Sequence, residues 1–185
     1  MKKSNLIRGA RISQQMEKLL EAPYAELERQ TMQFTPKTTK RQYAVDTIRV
    51  TKMELIPAKE SQVLSVKATV NSEGTNYATT ISFDDVVYDE DDQAANVSFV
   101  GVGGEESHIT PIELNRANCK VSCNCLDFYW RFATQNSKVN SLDAKAPPPY
   151  HKRSTRPPAN YKNTPGVCKH ILKTIAALRD AKIVN

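Results

Sequence analysis

Apolar positions change their spacing several times along this chain. Between residues 4 and 30, Leu6, Ile7, Ile12, Met16, Leu19, Leu20 and Leu27 fall mostly on one stripe at three-four spacing, with Arg8, Arg11, Lys18 and Glu21 off it. That pattern predicts an amphipathic helix, and Pro23 predicts the start of a second short helical piece. Thr31 to Arg41 has no period and ends in basic residues, so it reads as a linker. After it the period drops to two. Val45, Ile48, Val50, Met53 and Leu55 predict a long strand with an irregularity near Asp46. Leu64, Val66, Ala68 and Val70 alternate with Ser65, Lys67 and Thr69, the pattern of a half-buried strand. Asn71-Ser72-Glu73-Gly74 then supplies a turn, and Tyr77, Thr79, Ile81 and Phe83 make the return strand of a hairpin.

Further on, Ala95 to Val102 predicts another strand, with Gly101 to Gly104 as a turn. Those glycines lack the spacing and the following helix of a dinucleotide-binding loop. Leu126, Phe128, Trp130 and Phe132 alternate with Asp127, Tyr129 and Arg131, which predicts a strand with one aromatic face. Ile171, Leu172, Ile175, Ala176 and Leu178 describe a closing helix, led in by a Pro165-Gly166 turn. The expected fold class is α+β: an N-terminal helix, a small antiparallel sheet or sandwich, and a C-terminal strand-strand-helix module. The corresponding divisions are 1–40 (helical arm and linker), 41–115 (antiparallel β domain) and 116–185 (C-terminal module).

Composition adds two constraints. At 39% hydrophobic residues with ten prolines, the chain promises a modest core that needs outside help, from a metal or from oligomer contacts. Nothing in it reads as a membrane span, and Met1 to Ala10 lacks the apolar run of a secretory signal, so the expected setting is a reducing cytoplasm or a particle assembled there. The net charge of +6 hides a segregation: residues 81–113 hold nine acids and no Lys or Arg, whereas residues 126–185 hold eleven basic groups against three acidic. An acidic middle between basic ends can be neutralised within one molecule or against a neighbouring copy, and it points towards protein partners. The acidic run Asp84 to Asp92 reads as a solvated loop, because it lacks the alternating oxygen ligands, central glycine and terminal glutamate of a calcium loop. His108 reads as a surface or packed histidine.

The four cysteines carry the chemistry. Cys123-Asn124-Cys125 and Cys168-Lys169-His170 present two pairs of soft ligands separated by 42 residues. Adjacent Cys-x-Cys thiols are poor disulfide partners for each other, so metal binding is the better account. Three sulfurs and one imidazole in closed tetrahedral geometry describe a structural zinc site, whereas a catalytic site keeps one position for water. Cys119 stands four residues before Cys123 and is open to two readings, a competing ligand or a small buried residue.

Cys-x-Cys, a spacer and Cys-x-His ahead of an apolar helix resemble the SWIM zinc finger, a strand-strand-helix module associated with both DNA binding and protein contacts. The resemblance covers residues 119–182 and implies Cys123, Cys125, Cys168 and His170 as the zinc ligands. The spacer is longer than is usual for that family, the excess lying in a proline-rich basic insertion at 137–163. The segments CNCLDFYWRFA and RPPANYKNTPGVCKHIL, and with them the whole chain, also resemble small virion or hypothetical proteins of myovirus-type tailed bacteriophages. That resemblance implies a place in the virion, at the tail, baseplate or neck.

In the insertion, Pro147-Pro148-Pro149-Tyr150 and Arg156-Pro157-Pro158 favour extended backbone. Tyr150, Lys152, Arg153, Arg156, Tyr161 and Lys162 combine basic and aromatic side chains there. They suit an arm lying along a neighbouring protein, its ordering cost reduced by the prolines, or phosphate contact with base stacking. No glycine loop, Ser-His-Asp set or convincing carboxylate pair accompanies them, and no enzyme is expected. The expected function is a non-enzymatic structural component of a large assembly. It would dock other virion proteins, or copies of itself, through its arms and a zinc-stabilised module; the N-terminal helix itself either covers its own sheet or docks on another subunit. The alternative is a zinc-stabilised nucleic-acid-binding protein. No membrane partner is expected.

Overall fold

The computed structural model describes residues 22–33, 48–89, 97–148, 155 and 158–185. The predicted helix before residue 22, the linker from residue 34 to Arg41, the start of the predicted long strand at Val45 with its irregularity near Asp46, and Tyr150, Lys152, Arg153 and Arg156 lie outside the described residues; Thr31 and Met32, expected in the linker, are helical. The observed architecture is α+β, as the periodicities predict. Helix α1 (Tyr24–Met32) is followed by β1 (Arg49–Ala58), β2 (Val63–Ser72), β3 (Thr75–Phe83), β4 (Tyr88–Asp89), β5 (Val97–Val100), β6 (Glu106–Ile109) and β7 (Cys119–Cys123). A helical stretch at 126–138 (α2) and a last helix, α3 (Lys169–Asp180), complete it.

The strands form two antiparallel sheets, one ordered β1-β2-β3-β7 and a smaller one ordered β4-β6-β5. Strict alternation sets the register of the larger sheet. Leu64, Val66, Ala68 and Val70 of β2 are buried, and Lys67 between them is exposed. A one-residue slip would turn that whole apolar set to solvent. The inward rows are Leu64–Phe83–Cys119, Val66–Ile81–Val121 and Ala68–Thr79–Cys123. The β2–β3 turn places Glu73 and Gly74 at φ 54° and 76°, the left-handed pair that matches the twist of two antiparallel strands. Strand β1 runs on past Leu55 to Ala58 and carries Pro57, which an edge strand tolerates because no ladder needs an N–H donor from its outer side. It also carries a bulge between Val50 and Lys52.

Two local expectations are corrected. The predicted strand at 126–132 is helical: one turn of α-helix at Leu126–Phe128, a π-helical segment at Tyr129–Ala133, and α-helix again at Thr134–Lys138. Over seven residues, period two and period four both place Phe128 and Phe132 on one face, and both are buried. The intermediate positions decide: Leu126 and Trp130 are exposed, and Arg131 reaches back four residues to Asp127 at 3.3 Å, a helical pairing. The C-terminal module is therefore strand, helix, helix. Second, Tyr88 and Asp89 of the acidic stretch form a short strand against His108 and Ile109, with residues 90–96 outside the described set.

One continuous apolar core joins these elements. Helix α3 lays Ile171, Ile175 and Leu178 among Val66, Ile81, Phe83 and Val121, and Tyr24 and Leu27 of α1 are fully buried in the same cluster. The chain end returns to the fold through Ile112 N–H to Ile183 O (2.9 Å) and Asn185 N–H to Ile112 O (3.0 Å). Among the described residues no helix is long and apolar enough to cross a membrane.

A candidate Cys3His metal centre

Each of the four predicted ligands is placed by a different local cause. Cys123 is the last residue of β7 and faces inward because the strand alternates Cys119, Val121, Cys123 towards the core. Asn124 then holds the Cys-x-Cys bend against β3: its N–H donates to Ala78 O (3.1 Å), and its Oδ1 accepts from Ala78 N–H (3.0 Å). Cys125 takes extended backbone angles (φ −75°, ψ 147°) and is the N-cap of α2, its Sγ accepting from Phe128 N–H at 3.3 Å. Cys168 is the extended N-cap residue of α3, and His170 lies in that helix's first turn. Both helices thus aim their N-terminal partial charges at one point, which favours anionic sulfur.

The four ligand atoms converge. One donor atom from each of Cys123, Cys125, Cys168 and His170 lies within 4.8 Å of all the others, and all four residues are buried. His170 Nδ1 is 3.7 Å from Cys123 Sγ and 3.9 Å from Cys168 Sγ. Two donors on one tetrahedral zinc, with bonds of about 2.3 Å to sulfur and about 2.0 Å to nitrogen, stand about 3.6 Å apart. The donor set and its spacing therefore fit a metal of that size, and the cluster could hold one ion with Nδ1 as the histidine's ligand atom. The imidazole stacks on Tyr77 with centroids 4.1 Å apart and planes 18° from parallel, and its buried Nε2 has no hydrogen-bond partner.

Thiol acidity reports the same crowding. Hydrogen bonds from Cys123 and then Cys168 hold the Cys125 thiol far below its ordinary range. Its donor Cys123 is pushed up for that reason, and burial pushes Cys168 up before its neighbours add to the effect. Three thiols crowded into a buried place are hard to ionise together, and a divalent cation bound there would relieve this by taking the sulfurs as thiolates.

Behind the ligands stands a polar brace that no motif announced. Thr31 of α1 bonds Leu27 O (2.9 Å) and accepts from Val167 N–H (2.8 Å), so the first helix steadies the residue before Cys168. Asn136 clasps Gly166 reciprocally, donating to its carbonyl at 3.0 Å and accepting from its N–H at 2.8 Å. Pro165-Gly166 is not the expected turn; it is irregular chain outside any turn, and the glycine is there for lack of room. A Cβ on Gly166 would lie 2.5 Å from Thr31 Oγ1 and 2.6 Å from Phe132 Cε1. Asn160 donates to Arg131 O in the π-helical segment and to Thr164 O, both at 2.7 Å, and so pins the end of the long spacer to α2. Thr174 donates to His170 O (3.1 Å) and meets Thr79 across the sheet face at 2.9 Å. The bonds that tie separate segments, from Thr31 to Val167, Asn136 to Gly166, Asn160 to Arg131 and Thr79 to Thr174, join partners 29 to 136 residues apart, so no local spacing could have marked them; only Asn124, between two cysteines, stood in view.

Cys119 is not part of the cluster. On the same face of β7, four residues from Cys123, it is displaced by about 13 Å at the usual strand rise. It is fully buried, with its Sγ 4.0 Å from Ala22 O. Of the other candidate contact residues, Tyr161 is half exposed and Lys162 donates to Gln33 O at 2.8 Å. His108 meets Ser98 Oγ at 2.8 Å. Among the described residues the Cys3His group is the only cluster of three or more metal-ligating side chains. Fold and site together define an α+β protein with a candidate metal centre at the junction of its larger sheet and two helices. No family model, curated protein or solved structure matches the chain.

Proposed function

We propose that this chain is a non-enzymatic structural component of a large assembly, with zinc at Cys123, Cys125, Cys168 and His170 holding its C-terminal third in shape. The observation that carries the reading is the closure of the site. Four protein donors, all of them buried, lie within reach of one ion, the donor number of a structural tetrahedral site, whereas a catalytic site keeps one position for water. Zinc is the ion best suited to three sulfurs and one imidazole in tetrahedral array. What the metal would hold in place is the exposed outer side of α2 and the described ends of the basic spacer, residues 139–148 and 158–163. The resemblance to tailed-phage proteins makes the virion the proposed location, with other virion proteins or further copies of the chain as neighbours.

A second reading, nucleic-acid binding, draws on the exposed Trp130 and Tyr161 beside that basic spacer. The two readings part in one set of measurements on the purified chain. Metal analysis should return about one zinc per chain; none, with Cys123 or Cys125 in a disulfide, would sink the site. Titration with short single-stranded DNA at low salt should show no binding for the assembly reading, whereas affinity that falls steeply with salt would select the second.

A further inference from the structure

Helix α1 differs from the other elements around the metal centre: it carries none of the four ligands and lies far from them in sequence. At nine residues it is too short to persist alone in water, and no side-chain hydrogen bond caps its start. Docking therefore decides whether it forms. Its two halves dock on different parts of the fold. The first half is pinned by backbone to the stretch before β7, with Ala25 N–H donating to Leu114 O at 3.0 Å and Tyr24 N–H to Ala117 O at 3.4 Å. The second half is held by the C-terminal third. Thr31 Oγ1 accepts from Val167 N–H at 2.8 Å, Lys162 Nζ donates to Gln33 O at 2.8 Å, and Arg179 of α3 meets Glu28 at 3.3 Å. A lysine on the last carbonyls also suits the negative end of the helix dipole.

The contact at Val167 acts in both directions. Val167 is fully buried and lies in irregular chain one residue before Cys168. Two side chains hold that lead-in: Asn136 grips Gly166, and Thr31 grips Val167. Asn136 sits on α2, whose N-cap is the candidate ligand Cys125, so both would slacken together without an ion. Thr31 comes from outside the C-terminal third. Its hydroxyl is fixed in turn, donating to Leu27 O at 2.9 Å within the helix. A Cβ on Gly166 would lie 2.5 Å from that oxygen, so helix and lead-in meet with no spare room. A shift of α1 therefore moves Val167, and Cys168 with it. A loose Cys168 in turn takes away the donor that holds Thr31.

We infer that α1 is a strap coupled to the metal centre, with Thr31 as the residue that positions Cys168 for the ion. This rests on the zinc reading above and adds a regulation to that site. Metal occupancy and docking of the second half of α1 form one linked equilibrium. The ion tightens the strap, and whatever draws α1 off the body lowers metal affinity by the same factor. The residues on either side of α1 belong to the predicted arm and linker, so occupancy sets where both are anchored.

The zinc affinity of the full chain, measured by competition with a chromogenic chelator, tests this. Thr31→Val keeps the outline of the side chain but takes the acceptor away from Val167 N–H. It should weaken zinc binding by about tenfold or more, the scale on which the outer partners of metal ligands act. Thr31→Ser restores the hydroxyl and should return the native affinity. Cys119→Ala removes buried volume at the other end of β7 and should leave the affinity unchanged, so general loss of stability cannot imitate the effect. Hydrogen exchange on the native chain reads the reverse direction and needs no substitution: the amides of residues 28–33 should exchange faster once zinc is chelated. A native chain that takes up no zinc removes the metal reading and the strap together. If the native chain does hold zinc, a Thr31→Val chain that binds it as tightly overturns the strap alone. Equal protection of residues 28–33 in loaded and chelated protein, or equal weakening by Cys119→Ala, does the same.

Discussion

Strand β7 carries two buried cysteines on one face, and they stand at its opposite ends in different surroundings. Cys119 sits in the row Leu64–Phe83–Cys119, among apolar side chains that pack without any help. Cys123 sits in the row Ala68–Thr79–Cys123, where apolar packing gives way to a hydroxyl, three sulfurs and an imidazole. The first end is held by burial, which is non-directional and tolerant of small changes. The second is held by geometry, in which every donor must arrive at one point. The same side chain is therefore an apolar filler at one end of five residues and one of four clustered donors that could hold a metal at the other. What differs is which helix N-termini and which brace residues reach it.

The largest expected effect comes from removing what holds the second end. Chelation of the purified chain, or Cys168→Ser, should release the metal and unfold α2 and α3, a loss of more than about 4 kcal/mol for that part of the fold. Hydrogen exchange should then show rapid exchange across 123–180 while the amides of β1, β2 and β3 stay protected. Equal loss of protection in the β2–β3 hairpin would erase the contrast between the two ends. A smaller effect should come from the brace. Gly166→Ala forces a methyl group against Thr31 Oγ1 and Phe132, both fixed by burial, and should destabilise by about 1–3 kcal/mol. Thermal melts of zinc-loaded and apo protein would place it: the substitution should lower the loaded form's stability more than the apo form's. The smallest effect is expected at the first end. Cys119→Ala should cost about 1–2 kcal/mol of packing and leave one zinc per chain, as metal analysis would show. Lost zinc on that substitution would return Cys119 to the ligand set.

Much of the sheet was legible from the chain. The β2–β3 hairpin followed from strict alternation around a Glu73-Gly74 turn, because a half-buried strand leaves a period-two record of its own burial. The Cys3His cluster was legible too, since soft side chains in close pairs have few other uses, and the fold does bring those four together. Residues 126–132 were read as a strand because seven residues are too few to separate period two from a helical face when the aromatic positions coincide. Pro165-Gly166 was read as a turn because that dipeptide usually makes one; its glycine answers instead to Thr31 and Phe132, which sequence distance conceals.

By itself, then, the sequence determined the alternating sheet, the closing helix and the four donors, because each is recorded in the spacing of neighbouring residues. Only the tertiary structure decided that Cys125 and Cys168 stand at the N-termini of two helices, that Thr31, Asn124, Asn136 and Asn160 brace the bends, and that Cys119 stays apart. Those outcomes depend on distances through space between segments far apart along the chain. Local periodicity carries no trace of them.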